Sequence, residues 1–245
     1  MHSKNEQSQG PQALGSPPQV YQIALDHIGR AGGLQVLDLP AGEGAFCKLM
    51  LEHGHQVTAG DLFPEQFKVP QVTCKPVNIN EPFPFASGSF DAVVCMNGIH
   101  RVWARGHALK EMHRVLNPGG ILVISFPGST LFRRVFHLLT GSITSTTLGP
   151  PVAFLPDETP ALSYRSNLGV AHLLAIADAL GMSFVGLGGA KVCLKSLLLW
   201  PLALPLWLLR FAGGAPGLRP YRISEANALP ALFCMNVVLV LRKPR

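Results

Sequence analysis

The stretch from Leu34 to Phe46 restricts the possible fold more than any other part of the chain. Leu34 to Pro40 is a short apolar run ending Asp38-Leu39-Pro40, the pattern of a strand buried on both faces. Ala41-Gly42-Glu43-Gly44 makes a tight turn, and helical spacing runs from Glu43 to His53, with Gly54 as its stop. Strand, glycine turn and helix in that order open a βα unit. Such units assemble into parallel sheets covered by helices on both faces. The alternation continues along the chain. Strands are expected at 55–61, 69–77 (weakened by Pro76), 90–97, 121–127, 183–189 and 231–244. Helices are expected at 18–30, 104–116 and 167–180, the second closed by Asn117-Pro118-Gly119-Gly120.

The 245 residues suit one domain over 18–245, preceded by a polar, mobile tail at 1–17. Only 14% of them are charged, against roughly 25% in an average soluble chain, which excludes an intrinsically disordered protein. Five cysteines lie far apart without a C-x-x-C pair, so neither a disulfide framework nor a metal site is expected. With no secretory signal in the opening residues, the expected location is cytoplasmic, in places peripheral to a membrane. The net charge of +6 favours anionic partners.

Gly42 and Gly44 let the backbone approach a ligand with no Cβ in the way. Asp61 ends the next strand, where a carboxylate can hold two ribose hydroxyls at a topological switch point. These residues alone point to a nucleoside-containing cofactor. A nicotinamide oxidoreductase would require G-x-G-x-x-G, yet Pro40 stands at the first glycine and no third glycine follows Gly44 at the right spacing. Asp38 would also aim a carboxylate at a pyrophosphate, whereas it suits a cationic amino-acid group. The turn resembles motif I of the class I S-adenosylmethionine-dependent methyltransferases, D-x-G-x-G-x-G. Asn78 to Phe85 followed by Ser89-Phe90-Asp91, then Met96 to His100, then Ala108 to Gly120, resemble further motifs of that family in the same order. The resemblance covers residues 34–127 and is of the small-molecule, UbiE-like type.

It implies an α/β fold: a Rossmann-like, doubly wound, seven-stranded mixed sheet with helices on both faces and the last strand antiparallel. It further implies an S-adenosylmethionine site drawn from Asp38, Pro40, Ala41, Gly42, Gly44, Asp61, Leu62, Asn78, Ile79 and Asn97, with no metal. Pro40 departs from the motif glycine. Asn78 departs from the aspartate that caps the adenine amino group, although its amide oxygen still accepts a hydrogen bond. The implied activity is methyl transfer to a small, apolar acceptor such as a lipid, quinone or phenol. His100, just past the fourth strand, is the candidate base, since imidazole titrates near neutrality. Its competing role is to shape the wall or bond a lid; Tyr164 and His172 are weaker candidates. The competing function is a non-catalytic accessory protein of the same fold, at a membrane surface or dimer interface.

Residues 128–166 are too long for an ordinary connection and are expected to form a lid. Within an apolar insertion at 192–214, Leu197 to Leu209 is 13 residues long and contains Pro201 and Pro205. A membrane span needs about 20 apolar residues, so this segment does not cross a bilayer. Trp200, Trp207 and the flanking Lys191, Lys195, Arg210, Arg219 and Arg222 fit a patch lying on an anionic membrane surface. The competing reading places these leucines in the core or at a homodimer interface. Nucleic acid is not expected, because the basic residues lack interleaved aromatics.

Overall fold

A computed structural model describes residues 11–12, 16–140, 168–209, 211 and 222–245. Its strands are β1 (Gln35–Asp38), β2 (Gln56–Asp61), β3 (Cys74–Pro76), β4 (Phe90–Met96), β5 (Leu116–Pro127), β6 (Ser183–Val192) and β7 (Cys234–Arg242). They form one sheet in the order β3-β2-β1-β4-β5-β7-β6. The first five run parallel, and β7 lies antiparallel between β5 and β6. This is the mixed, seven-stranded sheet expected. Strand order reverses between β1 and β4, which opens a crevice at their carboxyl ends.

Period-two alternation gives the sheet two apolar faces. Val36, Val94, Val123 and Val240 pack under α1 (Pro18–Ile28) and α2 (Ala45–Glu52) through Leu25, Phe46 and Met50. Leu37, Val93, Ile124 and Leu239 face the other way, toward α3 (Arg105–Val115) and α5 (Val170–Ala179). Between β5 and α5 lies α4 (Leu131–Thr140). The two faces hold most of the buried apolar side chains, and helices cover both.

Several elements differ from expectation. The third strand shrinks to three edge residues, where Pro76 is tolerated, while Val69 and Val72 enter a small separate cluster. Asn117 to Gly120 is not a turn before β5 but a bulge within it: Phe90 pairs with Leu116 and Ala92 already with Ile121. The start expected for the last strand is helical, since Pro230 seeds α9 (Leu229–Phe233) and β7 begins only at Cys234. In the segment expected as a lid, α4 is a regular helix; 141–166 lie outside the described residues. The leucine-rich segment forms α6 (Leu194–Leu198) and α7 (Trp200–Leu209), the latter continuing through Pro205. Short α8 (Ile223–Ala226) follows. No helix among the described residues is long and apolar enough to cross a membrane.

Arg222, one of the basic residues expected to flank the apolar segment, pairs with Asp178 and Glu225. All five cysteines are unpaired thiols.

Candidate active site

The carboxyl ends of β1, β2 and β4 border a cleft of about 520 Å³. Asp38, Pro40, Ala41, Gly42, Asp61, Leu62, Asn78, Ile79, Asn97 and His100 all line it. Gly44 does not. It caps α2 at φ 89°, and a Cβ there would press into the Phe67 and Val69 side chains. Its glycine therefore serves the turn and the packing behind it.

Asp38 lies at the end of β1 with only 1% of its surface exposed. Its Oδ2 accepts a hydrogen bond from the Cys47 thiol at 3.2 Å, while Oδ1 has no partner among the described residues. Burial pushes this carboxyl up to about 7; the Cys47 bond opposes that rise and the nearby Asp61 charge adds to it. A buried carboxyl with an oxygen to spare is raised for want of a cation. The same burial pushes the Cys47 thiol far upward and holds it neutral.

Asp61, at the end of β2, organises the turn across from it. Its Oδ2 accepts the Gly42 N–H at 2.8 Å and its Oδ1 the Phe63 N–H at 3.0 Å. Each oxygen keeps a lone-pair direction for a further donor. Gly42 has φ 54°, and nothing lies within 4 Å of where its Cβ would be, so its backbone faces open space. Asn78 is more occupied than its sequence position implied. Its Oδ1 accepts both the backbone and side-chain N–H of Asn80 at 3.1 and 3.3 Å, and its Nδ2 donates to Glu81. An adenine amino group would have to compete with Asn80 for that oxygen.

Asn97 occupies the left-handed region at φ 52°, which asparagine tolerates better than most residues, and its N–H donates to the Ser125 hydroxyl at 3.0 Å. Immediately beyond it, a single 3-10 turn over Ile99–Arg101 holds His100 at the cleft, 7% exposed. Arg101 brings a cation to the same rim. His172 sits on α5 and does not line the cleft; Tyr164 lies outside the described residues.

Sequence reasoning missed the contribution from before β1. Gln12, Ser16 and Tyr21 also line the cleft, and the Gln12 N–H donates to Glu43 at 2.8 Å. Tyr21 packs edge-on against Phe46 with ring centroids 5.4 Å apart. Burial and the Asp38 charge hold its hydroxyl protonated. Because α1 reaches the cleft only through tertiary packing, no local pattern announced this.

These residues fit an S-adenosylmethionine-type ligand: a lone carboxyl for a cation, a second carboxylate with spare acceptors, and an open glycine backbone. Residues 37–124 match the methyltransferase domain family. The chain is 32% identical over 186 residues to a demethylmenaquinone methyltransferase of Beutenbergia cavernae, covering 71% of this chain and 77% of that one. It is also 32% identical over 138 residues to the ubiquinone/menaquinone biosynthesis C-methyltransferase UbiE of Geotalea uraniireducens, covering 47% of this chain. It spans just over half, 56%, of that relative's length. In fold it is similar to the Burkholderia thailandensis 1,6-didemethyltoxoflavin-N1-methyltransferase, solved with S-adenosylhomocysteine. That likeness has TM-score 0.52 at 18% identity over 93% of this chain and 77% of that one. The strand order, the cleft at the reversal point and the relatedness to the Beutenbergia enzyme agree, and the chain belongs to the class I S-adenosylmethionine-dependent methyltransferases.

Proposed function

We propose that the protein transfers a methyl group from S-adenosylmethionine to a small, apolar acceptor of the quinone, phenol or lipid kind. The observation that carries the reading is Asp38, whose buried and partnerless Oδ1 suits the ammonium of an amino-acid moiety. When bound, S-adenosylmethionine supplies a methyl group already activated on a sulfonium. The chain's own task is to bind, orient and exclude water. Asp61 holds the Gly42 turn in place and keeps acceptor capacity for ribose hydroxyls. Leu62, Ile79 and Met96 supply apolar wall for a flat, uncharged group. Asn97, locked to Ser125, sets the floor from which the His100 turn rises. His100 is the proposed proton acceptor for an acceptor hydroxyl or ring carbon. The names of the Beutenbergia demethylmenaquinone methyltransferase and the Geotalea ubiquinone/menaquinone biosynthesis C-methyltransferase support an apolar acceptor.

Transfer of labelled methyl from S-adenosylmethionine to a panel of demethylquinones and phenols tests this. Wild-type protein should label at least one of them. His100→Gln should lower kcat on the order of 10²- to 10⁴-fold, the range for a lost acid–base group, with S-adenosylhomocysteine affinity unchanged. Tight cofactor binding without transfer to any member would favour the non-catalytic accessory protein.

A further inference from the structure

Eleven of the sixteen exposed large apolar side chains among the described residues belong to α4, α6, α7 and Phe211. Leu138 and Leu139 at the end of α4 are 82% and 80% exposed, and Leu198 in α6 is 83% exposed. Trp200 and six further leucines of α6 and α7 are each more than 40% exposed. In contrast, Ser196 and Ala203 are the buried residues of α6 and α7, so these helices turn small side chains inward and large apolar ones outward. This is the reverse of a core helix.

The three helices are continuous. The Phe132 N–H of α4 donates to the Ser196 hydroxyl of α6 at 3.1 Å, and Lys195 Nζ lies 5.2 Å from the Phe132 ring. Arg134 ties the inner side of α4 to the backbone carbonyls of Ser129 and Ala226. The charged residues carried by the three helices have one sign. Residues 112–156 and 179–224, which contain all three helices, include no aspartate or glutamate, and Lys191 and Lys195 are exposed beside them. Ten of the fourteen acids of the chain lie in residues 1–111. An apolar face of this size, on three helices without an acid and with exposed lysines beside them, matches the interior and the headgroups of an anionic bilayer together. A second copy would meet the same cations on its partner.

Pro127 and Val192 end β5 and β6 beside Asn236 and Cys234 of β7, and both strands run in the direction of β1. Therefore α4 and α6 leave the sheet at its carboxyl edge, the edge that bears the cleft. We infer that α4, α6 and α7 together form a docking surface for an anionic bilayer, holding the cleft edge toward the leaflet from which the acceptor is taken. The docking deepens the reading of an apolar acceptor and rests on it for its purpose, though not for its test.

Flotation of the full-length protein with vesicles tests it directly. Vesicles of phosphatidylglycerol and phosphatidylcholine should carry the protein at low salt and release it at high salt, while pure phosphatidylcholine should carry far less. Lys191→Ala with Lys195→Ala should lower partition about twenty-five-fold, at about fivefold per cation. Leu138→Glu with Leu198→Glu should abolish flotation while S-adenosylhomocysteine still binds, both positions being too exposed to disturb the fold. Wild-type protein that stays unbound at low salt overturns the inference, as does a double glutamate variant that floats normally. A wild-type dimer that this variant dissolves and vesicles do not disrupt also overturns it, assigning the face to a second copy. Flotation requires neither cofactor nor acceptor. Vesicle binding without methyl transfer would thus remove the proposed activity and leave the docking surface standing.

Discussion

Pro40 stands where the motif has a glycine, and its neighbour across the cleft accommodates it. A Cβ on Gly98 would come within 2.3 Å of Cδ and 2.6 Å of Cγ of the Pro40 ring. The two positions are therefore coupled: a ring enters the turn after β1 because the loop after β4 has no side chain there. Gly98→Ala should destabilise the protein by about 1–3 kcal/mol, the usual cost of overpacking. Thermal unfolding should show that loss, and Pro40→Gly in the same chain should restore much of it. A Gly98→Ala variant of wild-type stability would mean that the loop simply moves aside. At this scale the sequence was most legible where chemistry and chain position coincide. Asp38 and Asp61 both close apolar runs, so their place at the strand ends could be read directly. Asn78 was legible as a wall residue but not in its bonds, because its partners Asn80 and Glu81 make a local turn that competes for the same amide. Tyr21 was not legible at all, since its neighbour Phe46 lies on another helix.

The motif shared with the family around Glu111 and Arg114 is a clamp between elements. Glu111 in α3 accepts the Phe83 N–H at 2.8 Å and pairs with Arg114 at 2.8 Å. Arg114 also donates to the Phe83 and Phe85 carbonyls and to the Ser87 hydroxyl. Residues 83–87 are thereby stitched to α3, and the cleft wall at Val77 to Asn80 is held from behind. Asp91 works alike on the far side, accepting from Gln35 N–H and Asn117 Nδ2 at 2.9 and 2.8 Å. Arg114→Ala should cost about 2 kcal/mol, a charged hydrogen-bond value discounted for an arginine about one-third exposed. That corresponds to a fall in Tm of about 4–8 °C for a chain of this size. The bond from Arg114 holds the Glu111 carboxyl below its ordinary value of 4.5. This contribution is therefore complete above that value and is lost as pH falls through the lower, folded-state one. The stability gap between wild type and variant should narrow in acid; a constant gap would remove the ion pair from the account. Strands were legible as elements because buried parallel strands are uninterrupted apolar runs. The helices α4 and α9 were less so: one follows Gly128-Ser129-Thr130, and the other merges into the apolar run of β7.

For the whole molecule, topology decides what the residues can do together. The reversal of strand order between β1 and β4 sets two carboxyl groups, a glycine turn and His100 around one cleft. The same edge releases α4, α6 and α7. The sheet was legible from the alternation of runs, and the apolar helices from their composition. Their sidedness was not, because an almost unbroken apolar run carries no helical periodicity; only the structure reveals that Ser196 and Ala203 face inward. If this edge binds a ligand with a cationic amino-acid end, binding is linked to a proton. Burial leaves Asp38 half-protonated near pH 7 in the free protein, and a bound ammonium would hold it ionised. Calorimetric titration with S-adenosylhomocysteine, in buffers of different ionisation enthalpy, measures both affinity and proton release. Binding should be tight and one-to-one, strengthening up to about tenfold per pH unit toward pH 7 and levelling off above it. Each binding event should release close to one proton well below pH 7, and Asp38→Asn should remove both effects. Affinity that is weak and unchanged from pH 5.5 to pH 8, or NADH binding in its place, would contradict a site for such a ligand.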